Sequence, residues 1–151
     1  MLRLAEVPNI VAVKEASGNL GQIMDIIRDR PKDLRVLSGD DAIAVAVVAM
    51  GGDGVVSVVS NQAPGMMRAI VDAALEGDFA KARELHYKLL PLMNANFMES
   101  NPIPVKAALA MMGFDAAAAP DGTVAWGLVL GIASSVLLLA VAGRLAAINA
   151  T

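Results

Sequence analysis

The first sixty residues alternate short apolar runs with segments of helical periodicity. The apolar runs have the length and the Val and Ile content of buried strands, and they cover Ile10–Lys14, Leu34–Leu37 and Val55–Val59. Between them, Asn19 can cap a helix that runs to Arg30, and a small-residue helix is expected at Ala42–Met50. Strands that alternate with helices across short links predict parallel α/β units. Right-handed crossovers then place the three strand ends at one edge of the sheet.

The chain after Pro64 has a purely helical pattern. It predicts one helix at Pro64–Leu75, a longer one that Asp78 caps and that ends near Asn96, and a third that ends near Met112. Pro91 lies inside the second of these helices and is expected to kink it.

Composition narrows the possible functions. The net charge is −3 and the sequence pI is about 5.0, which does not indicate a nucleic-acid-binding protein. The chain has no cysteine and one histidine, so neither a disulfide framework nor a metal site is predicted. That histidine, His86, is expected to be a surface or core residue of its helix. Asp40 and Asp41 are interpreted as strand-end and helix-cap residues rather than an acid–base pair.

The last part of the chain differs sharply in composition. A small-residue link at 116–122 precedes Thr123–Gly143, a stretch without a charged residue. About 20 apolar residues suffice to span a bilayer as a helix, so a transmembrane helix is predicted there, within an apolar segment at 123–148. The alternative is a fully buried helix of a soluble protein.

One residue carries candidate chemistry. Lys14 follows four apolar residues at the end of the first strand, and Ser17-Gly18-Asn19 then interrupts the pattern. Apolar surroundings favour the neutral amine of a lysine, which can attack a carbonyl and form a Schiff base. The alternative is a lysine that merely ends a strand and reaches solvent.

Four motifs in register strengthen the first interpretation. They are Val13–Gly18, Leu37–Asp41, Gly51–Ser57 and Glu99–Lys106. Together they resemble the carboxyl-terminal half of the 4-hydroxy-tetrahydrodipicolinate synthase (dihydrodipicolinate synthase) family, over about Leu4 to Gly113. The resemblance implies an α/β fold: the last three strand–helix units of a TIM (β/α)8 barrel at 1–62, and a carboxyl-terminal helical extension at 63–115.

The resemblance also implies an activity. Such enzymes are cytoplasmic lyases of lysine biosynthesis, commonly homo-oligomers, that condense pyruvate with aspartate semialdehyde. Lys14 matches the lysine that forms the Schiff base with pyruvate, so no further cofactor is implied. Gly39 and Val56 match positions beside the pyruvate, although Gly39 can be explained by a turn and Val56 by core packing.

Several parts of the family pattern are missing from this sequence. A TIM barrel needs about eight strands, and three are predicted here. The family's threonine pair, tyrosine proton relay and carboxylate-binding arginine have no match, and Tyr87 lies in the helical extension. We therefore expect a truncated, frameshifted or fused reading frame that is inactive alone and lacks half of the barrel. The alternatives are a non-catalytic, membrane-tethered fragment or assembly module, and a related pyruvate-dependent aldolase acting on sialic or sugar acids.

Overall fold

A computed structural model describes residues 2–114 of the chain. Its contacts divide the chain into two units, Met1–Val105 and Lys106–Thr151. Short 3-10 helices lie at Leu2–Glu6 and Val59–Asn61. The strands are β1 (Ala12–Glu15), β2 (Arg35–Ser38) and β3 (Gly54–Val55), and the α-helices are α1 (Leu20–Asp29), α2 (Ala44–Ala49), α3 (Pro64–Leu75), α4 (Phe79–Ala95) and α5 (Ile103–Met111).

The three strands form one parallel sheet in the order β1-β2-β3. Lys14 is in register with Leu37, and Leu37 is in register with Gly54. The predicted α/β class with parallel strands is therefore confirmed. The carboxyl ends of all three strands lie at one edge of the sheet.

Only one face of this sheet is covered by the described residues. Val36 of β2 packs in a fully buried cluster with Ile23 of α1 and Val47 of α2. On the opposite face Lys14 is exposed and Leu37 is half-buried. The prediction of buried strands thus holds only for the Val36 face within residues 2–114, where α1 and α2 pack.

The third strand is shorter than predicted. β3 ends at Val55, and Val59–Asn61 forms a 3-10 helix instead of continuing the strand. The backbone N–H groups of Val58 and Val59 donate to Asp41 Oδ2, at 3.0 and 2.8 Å. A buried carboxylate from the preceding unit therefore takes donors that a longer strand would have used for pairing.

Helix boundaries follow local signals closely. Asn19 caps α1 by accepting from the Gln22 N–H at 3.2 Å, and Asp78 caps α4 by accepting from the Lys81 N–H at 3.0 Å. The prediction for α2 is wrong in its start, since neither Asp40 nor Asp41 caps it. Asp40 Oδ1 instead accepts from the Ala42 N–H at 2.8 Å, ahead of the helix.

The helices α2, α3 and α4 enclose the larger core. Its buried members are Ala44, Val59, Met67, Ile70, Leu89 and Met93. Within residues 2–114, no helix combines the length and the apolar character needed to cross a membrane. The predicted link at 116–122 and the predicted membrane helix at Thr123–Gly143 lie outside the described residues.

Candidate functional site

Lys14 is the third of the four residues of β1 and lies next to the carboxyl edge of the sheet. Its side chain is exposed on the face that the helices leave open. The desolvation expected from the sequence is therefore not supplied by the described residues. The amine is accessible to a small carbonyl compound approaching that face.

Gly39 lies directly beneath the lysine side chain. A methyl group at position 39 would lie 3.0 Å from Lys14 Cε and 2.5 Å from Ala16 Cβ. Both separations are far below ordinary carbon contacts, so any side chain at this position displaces its neighbours. The structure thus gives Gly39 a defined role: it lets the Lys14 side chain pass close over the backbone that follows β2.

Glu15 organises the loop that follows Lys14. Its carboxylate is almost fully buried and accepts from the Ser17 hydroxyl at 2.9 Å and from Gln22 Nε2 at 3.1 Å. Its backbone carbonyl accepts from the Gly39 N–H at 2.6 Å, which joins the ends of β1 and β2. Sequence reasoning missed Glu15, although a glutamate followed by Ser17 and the helix cap Asn19 is a signal for such a loop.

Val56 follows β3 at the same edge. Its N–H donates to the Ser38 carbonyl at 2.7 Å, which extends the parallel ladder by one step beyond the strand. Ser38 is in register with Val55, so the next residues on each strand, Gly39 and Val56, lie side by side. The structure therefore brings together the three residues that the sequence singled out, Lys14, Gly39 and Val56.

Asp41 is buried just behind this edge, with an exposed fraction of 1%. Burial raises the pKa of its carboxyl group. Hydrogen bonds from the Ser57 hydroxyl and from the N–H groups of Val59 and Val58 oppose this rise. The carboxylate holds the segment that follows Val56, as its bonds to Val58 and Val59 show.

His86 and Tyr87 lie on α4, apart from the lysine. His86 is buried, and burial lowers the pKa of its imidazole while the Asp41 carboxylate opposes that shift. The interpretation of His86 as a surface or core residue is resolved in favour of the core. Tyr87 is 63% exposed, and its ring meets the His86 ring edge-on at 5.9 Å between centroids.

A charged cluster fastens the opposite ends of the strands. Asp53, just before β3, accepts from the guanidinium groups of Arg30 and Arg35 and from the Val36 N–H at 2.8 Å. Burial alone would raise the pKa of Asp53, but the hydrogen bonds from Arg30, Val36 and Arg35 outweigh it and hold this pKa below its usual value. This cluster stabilises the sheet at the amino-terminal ends of the strands, away from the carboxyl ends where Lys14 lies. Among residues 2–114, no group of three His, Cys, Asp or Glu side chains is placed to hold a metal ion.

Parallel strands with helices on one face, and a lysine over a glycine at their carboxyl ends, define a segment of an α/β protein with its site at the strand ends. The sequence profile of the Dihydrodipicolinate synthetase family matches residues 1–124. The chain belongs to this family.

Individual relatives agree with that assignment. The chain is 61% identical over 113 residues to the 4-hydroxy-tetrahydrodipicolinate synthase of Koribacter versatilis (strain Ellin345), a match that covers 75% of this chain and 38% of that protein. The crystal structure of dihydrodipicolinate synthase from Aquifex aeolicus superposes with a TM-score of 0.73 at 45% identity, over 75% of this chain and 39% of that one.

A third relative was solved with a ligand. It is the chloride-inhibited dihydrodipicolinate synthase of Acinetobacter baumannii in complex with pyruvate, with a TM-score of 0.71 and 42% identity over 74% of this chain and 38% of that one. This chain therefore spans about two fifths of the length of the relatives it matches, 38% of the first of them.

Proposed function

We propose that this chain carries the Schiff-base lysine of a lyase that condenses pyruvate with aspartate semialdehyde. The observation that carries the proposal is the Lys14 side chain, which lies over Gly39 at the carboxyl ends of parallel strands. The synthase names of the relatives favour aspartate semialdehyde over sialic or sugar acids as the second substrate, and one related structure holds pyruvate. No cofactor is needed beyond the covalent imine.

The proposed reaction starts at the Lys14 amine. The neutral amine adds to the ketone carbon of pyruvate, and the ketone oxygen leaves as water, so that a protonated imine forms. The imine withdraws electrons from the methyl group, which then loses a proton to give an enamine. The enamine carbon attacks the aldehyde carbon of aspartate semialdehyde, and the aldehyde oxygen takes up a proton. This regenerates the imine on Lys14, and attack on the imine carbon by water or by the substrate's own amino group then breaks the bond to Lys14 and frees its amine.

In this proposal Gly39 and Val56 shape the pocket for pyruvate. Gly39 offers backbone without a side chain, and Val56 offers a half-buried aliphatic surface one step along the same edge. Glu15 is a positioning residue, because its bonds to Ser17 and Gln22 hold the loop beside the lysine.

The proton transfers need groups that this sequence does not place near Lys14. Its one tyrosine, Tyr87, is exposed on α4. General acid–base catalysis typically contributes about 10²–10⁴-fold. We propose that the missing groups belong to polypeptide beyond this sequence, which also covers the open face of the sheet, and that this chain alone has negligible synthase turnover.

A borohydride experiment tests the role of Lys14. Incubating the full chain with pyruvate and sodium borohydride is expected to leave a reduced adduct on Lys14, found by peptide mass spectrometry. Lys14→Arg should lose the adduct, because a guanidinium stays protonated. Lys88→Arg is the matched control, since Lys88 pairs with Glu84 on the surface of α4 and should not affect trapping. An adduct mainly on other lysines, or equal trapping by Lys14→Arg, would contradict the proposal.

A second candidate function is assembly without catalysis. The observation that favours it is the sheet itself: within residues 2–114, β1 and β3 each pair only with β2, and open parallel edges promote pairing with other chains. Adding a separately made polypeptide that supplies the first five strand–helix units of a relative distinguishes the two. Turnover restored by mixing supports the lyase, whereas a complex without turnover supports assembly.

A further inference from the structure

Two buried polar atoms of the described residues have no hydrogen-bond partner. They are Asp41 Oδ1 and His86 Nδ1. Asp41 is 1% exposed and His86 is 8% exposed, so solvent does not satisfy either residue freely. Leaving a buried polar group unpaired is costly, and such groups in folded proteins are nearly always bonded to protein or to an ordered water.

The packing brings these two residues into one region. His86 lies one turn before Leu89 on α4, and Leu89 packs in the same buried cluster as Ala44. The Ala44 N–H donates to the Asp41 carbonyl at 3.3 Å, which ties that cluster to Asp41. The Asp41 carboxylate also acts electrostatically on the His86 imidazole. An unpaired carboxylate oxygen and an unpaired ring nitrogen are therefore buried in neighbouring parts of the fold, and their side chains interact electrostatically.

We propose that one buried water accepts from His86 Nδ1–H and donates to Asp41 Oδ1, and that this water-linked pair positions the segment 56–59. Asp41 Oδ2 already accepts from the N–H groups of Val58 and Val59. The second oxygen then links that segment to α4. The hydrogen bond does not depend on the proposed function. Its effect on the site does, because Val56, at the start of this segment, lies at the same end of the sheet as Gly39 and Lys14.

The Ser57 hydroxyl is a second neighbour of the carboxylate. It accepts from the Ser60 N–H at 2.9 Å, so its hydrogen is free to point at Asp41, where it helps to lower the pKa. Its geometry is not that of a full hydrogen bond to Oδ1, which has no partner. A carboxylate oxygen has two lone pairs, and a bond from Ser57 to Asp41 still leaves His86 Nδ1 unpaired.

The imidazole tautomer tests this hydrogen bond without reference to activity. His86 is the only histidine in the sequence, so the ring nitrogens of the ¹⁵N-labelled full chain give one set of NMR signals. We expect the neutral Nδ1–H tautomer, because the partner of each ring nitrogen selects the tautomer. A histidine without this bond would show the usual Nε2–H tautomer, which would overturn the proposal.

Asp41→Asn sharpens the test. The asparagine oxygen is expected to keep the bonds from Val58 and Val59, which turns the amide NH₂ toward His86. The ring should then switch to the Nε2–H tautomer so that Nδ1 accepts. Asp40→Asn is the matched control and should leave the Nδ1–H tautomer unchanged. If Asp41→Asn does not fold, the tautomer of His86 in the unmodified chain still tests the hydrogen bond.

The positioning role has its own readout in the trapping reaction. His86→Asn keeps an amide donor near the place of Nδ1, whereas His86→Gln moves the amide outward. We expect the pyruvate concentration for half-maximal trapping to rise about tenfold in His86→Gln and to change little in His86→Asn. Equal effects of both changes would overturn the positioning role. If even the unmodified chain fails to trap pyruvate, the proposed function is wrong, and the tautomer result is unaffected.

Discussion

Replacing Gly39 by alanine tests whether the lysine needs the open space beneath it. The added methyl group would lie 2.5 Å from Ala16 Cβ, 3.0 Å from Lys14 Cε and 3.1 Å from the Ala16 Cα. The lysine stem can swing aside, but the Ala16 Cα belongs to the backbone of the loop that Glu15 holds. Both the amine and the loop must therefore move.

The expected magnitude follows from overpacking. Forcing a methyl group into a filled site typically costs about 1–3 kcal/mol, so the free energy of unfolding should fall by that amount in urea titrations. Pyruvate trapping should fall further than the loss of folded protein explains, because Lys14 Cε is among the displaced atoms. Both quantities are measured on the same preparation of the full chain.

Two further variants separate the causes. At Gly65, the second residue of α3, a methyl group would meet nothing within 4 Å, so Gly65→Ala should leave trapping intact and stabilise the helix by less than the roughly 0.5–1 kcal/mol of an interior position. Adding Ala16→Gly to Gly39→Ala removes the 2.5 Å contact and should restore part of the stability. The role assigned to Gly39 would be refuted if Gly39→Ala had the same free energy of unfolding as the unmodified chain and trapped pyruvate to the same extent.

Two other predictions concern regions away from the lysine. Asp53→Asn should lower the free energy of unfolding by about 1.5–3 kcal/mol near neutral pH, because the largely buried Arg30 loses its charged partner while the exposed Arg35 loses little. Since the folded-state pKa of Asp53 lies below the usual 3.8, its contribution is present above that pH and is lost as pH falls through the folded value. The difference between the two proteins in urea should accordingly shrink in acid, and a constant difference would contradict this account. Deleting 121–151 tests the membrane helix that the sequence predicts. If the tail is a membrane anchor, deletion moves the protein from the membrane to the soluble fraction and leaves the protease resistance of residues 2–114 unchanged, whereas a chain that is soluble before deletion and unfolds after it shows that the tail is core.

The elements that the sequence determined by itself depend on neighbours close along the chain. α3 begins at Pro64 and ends at Leu75 as predicted, and the caps Asn19 and Asp78 hold their helices. Caps and apolar periodicity act within a few residues, so they can be recognised without a fold. Lys14 is singled out in a similar way, from a motif and a strand end, and its role stays a prediction.

Tertiary structure decided what depends on distant residues. The strand predicted to continue to Val59 ends at Val55, because Asp41, 17 residues before Val58, takes its N–H. The need for glycine at position 39 arises from Ala16 and Lys14 on another strand unit. The burial of His86 depends on how α4 packs against α2 and α3. Such contacts join residues far apart in sequence, and a local pattern carries no record of which of them will meet.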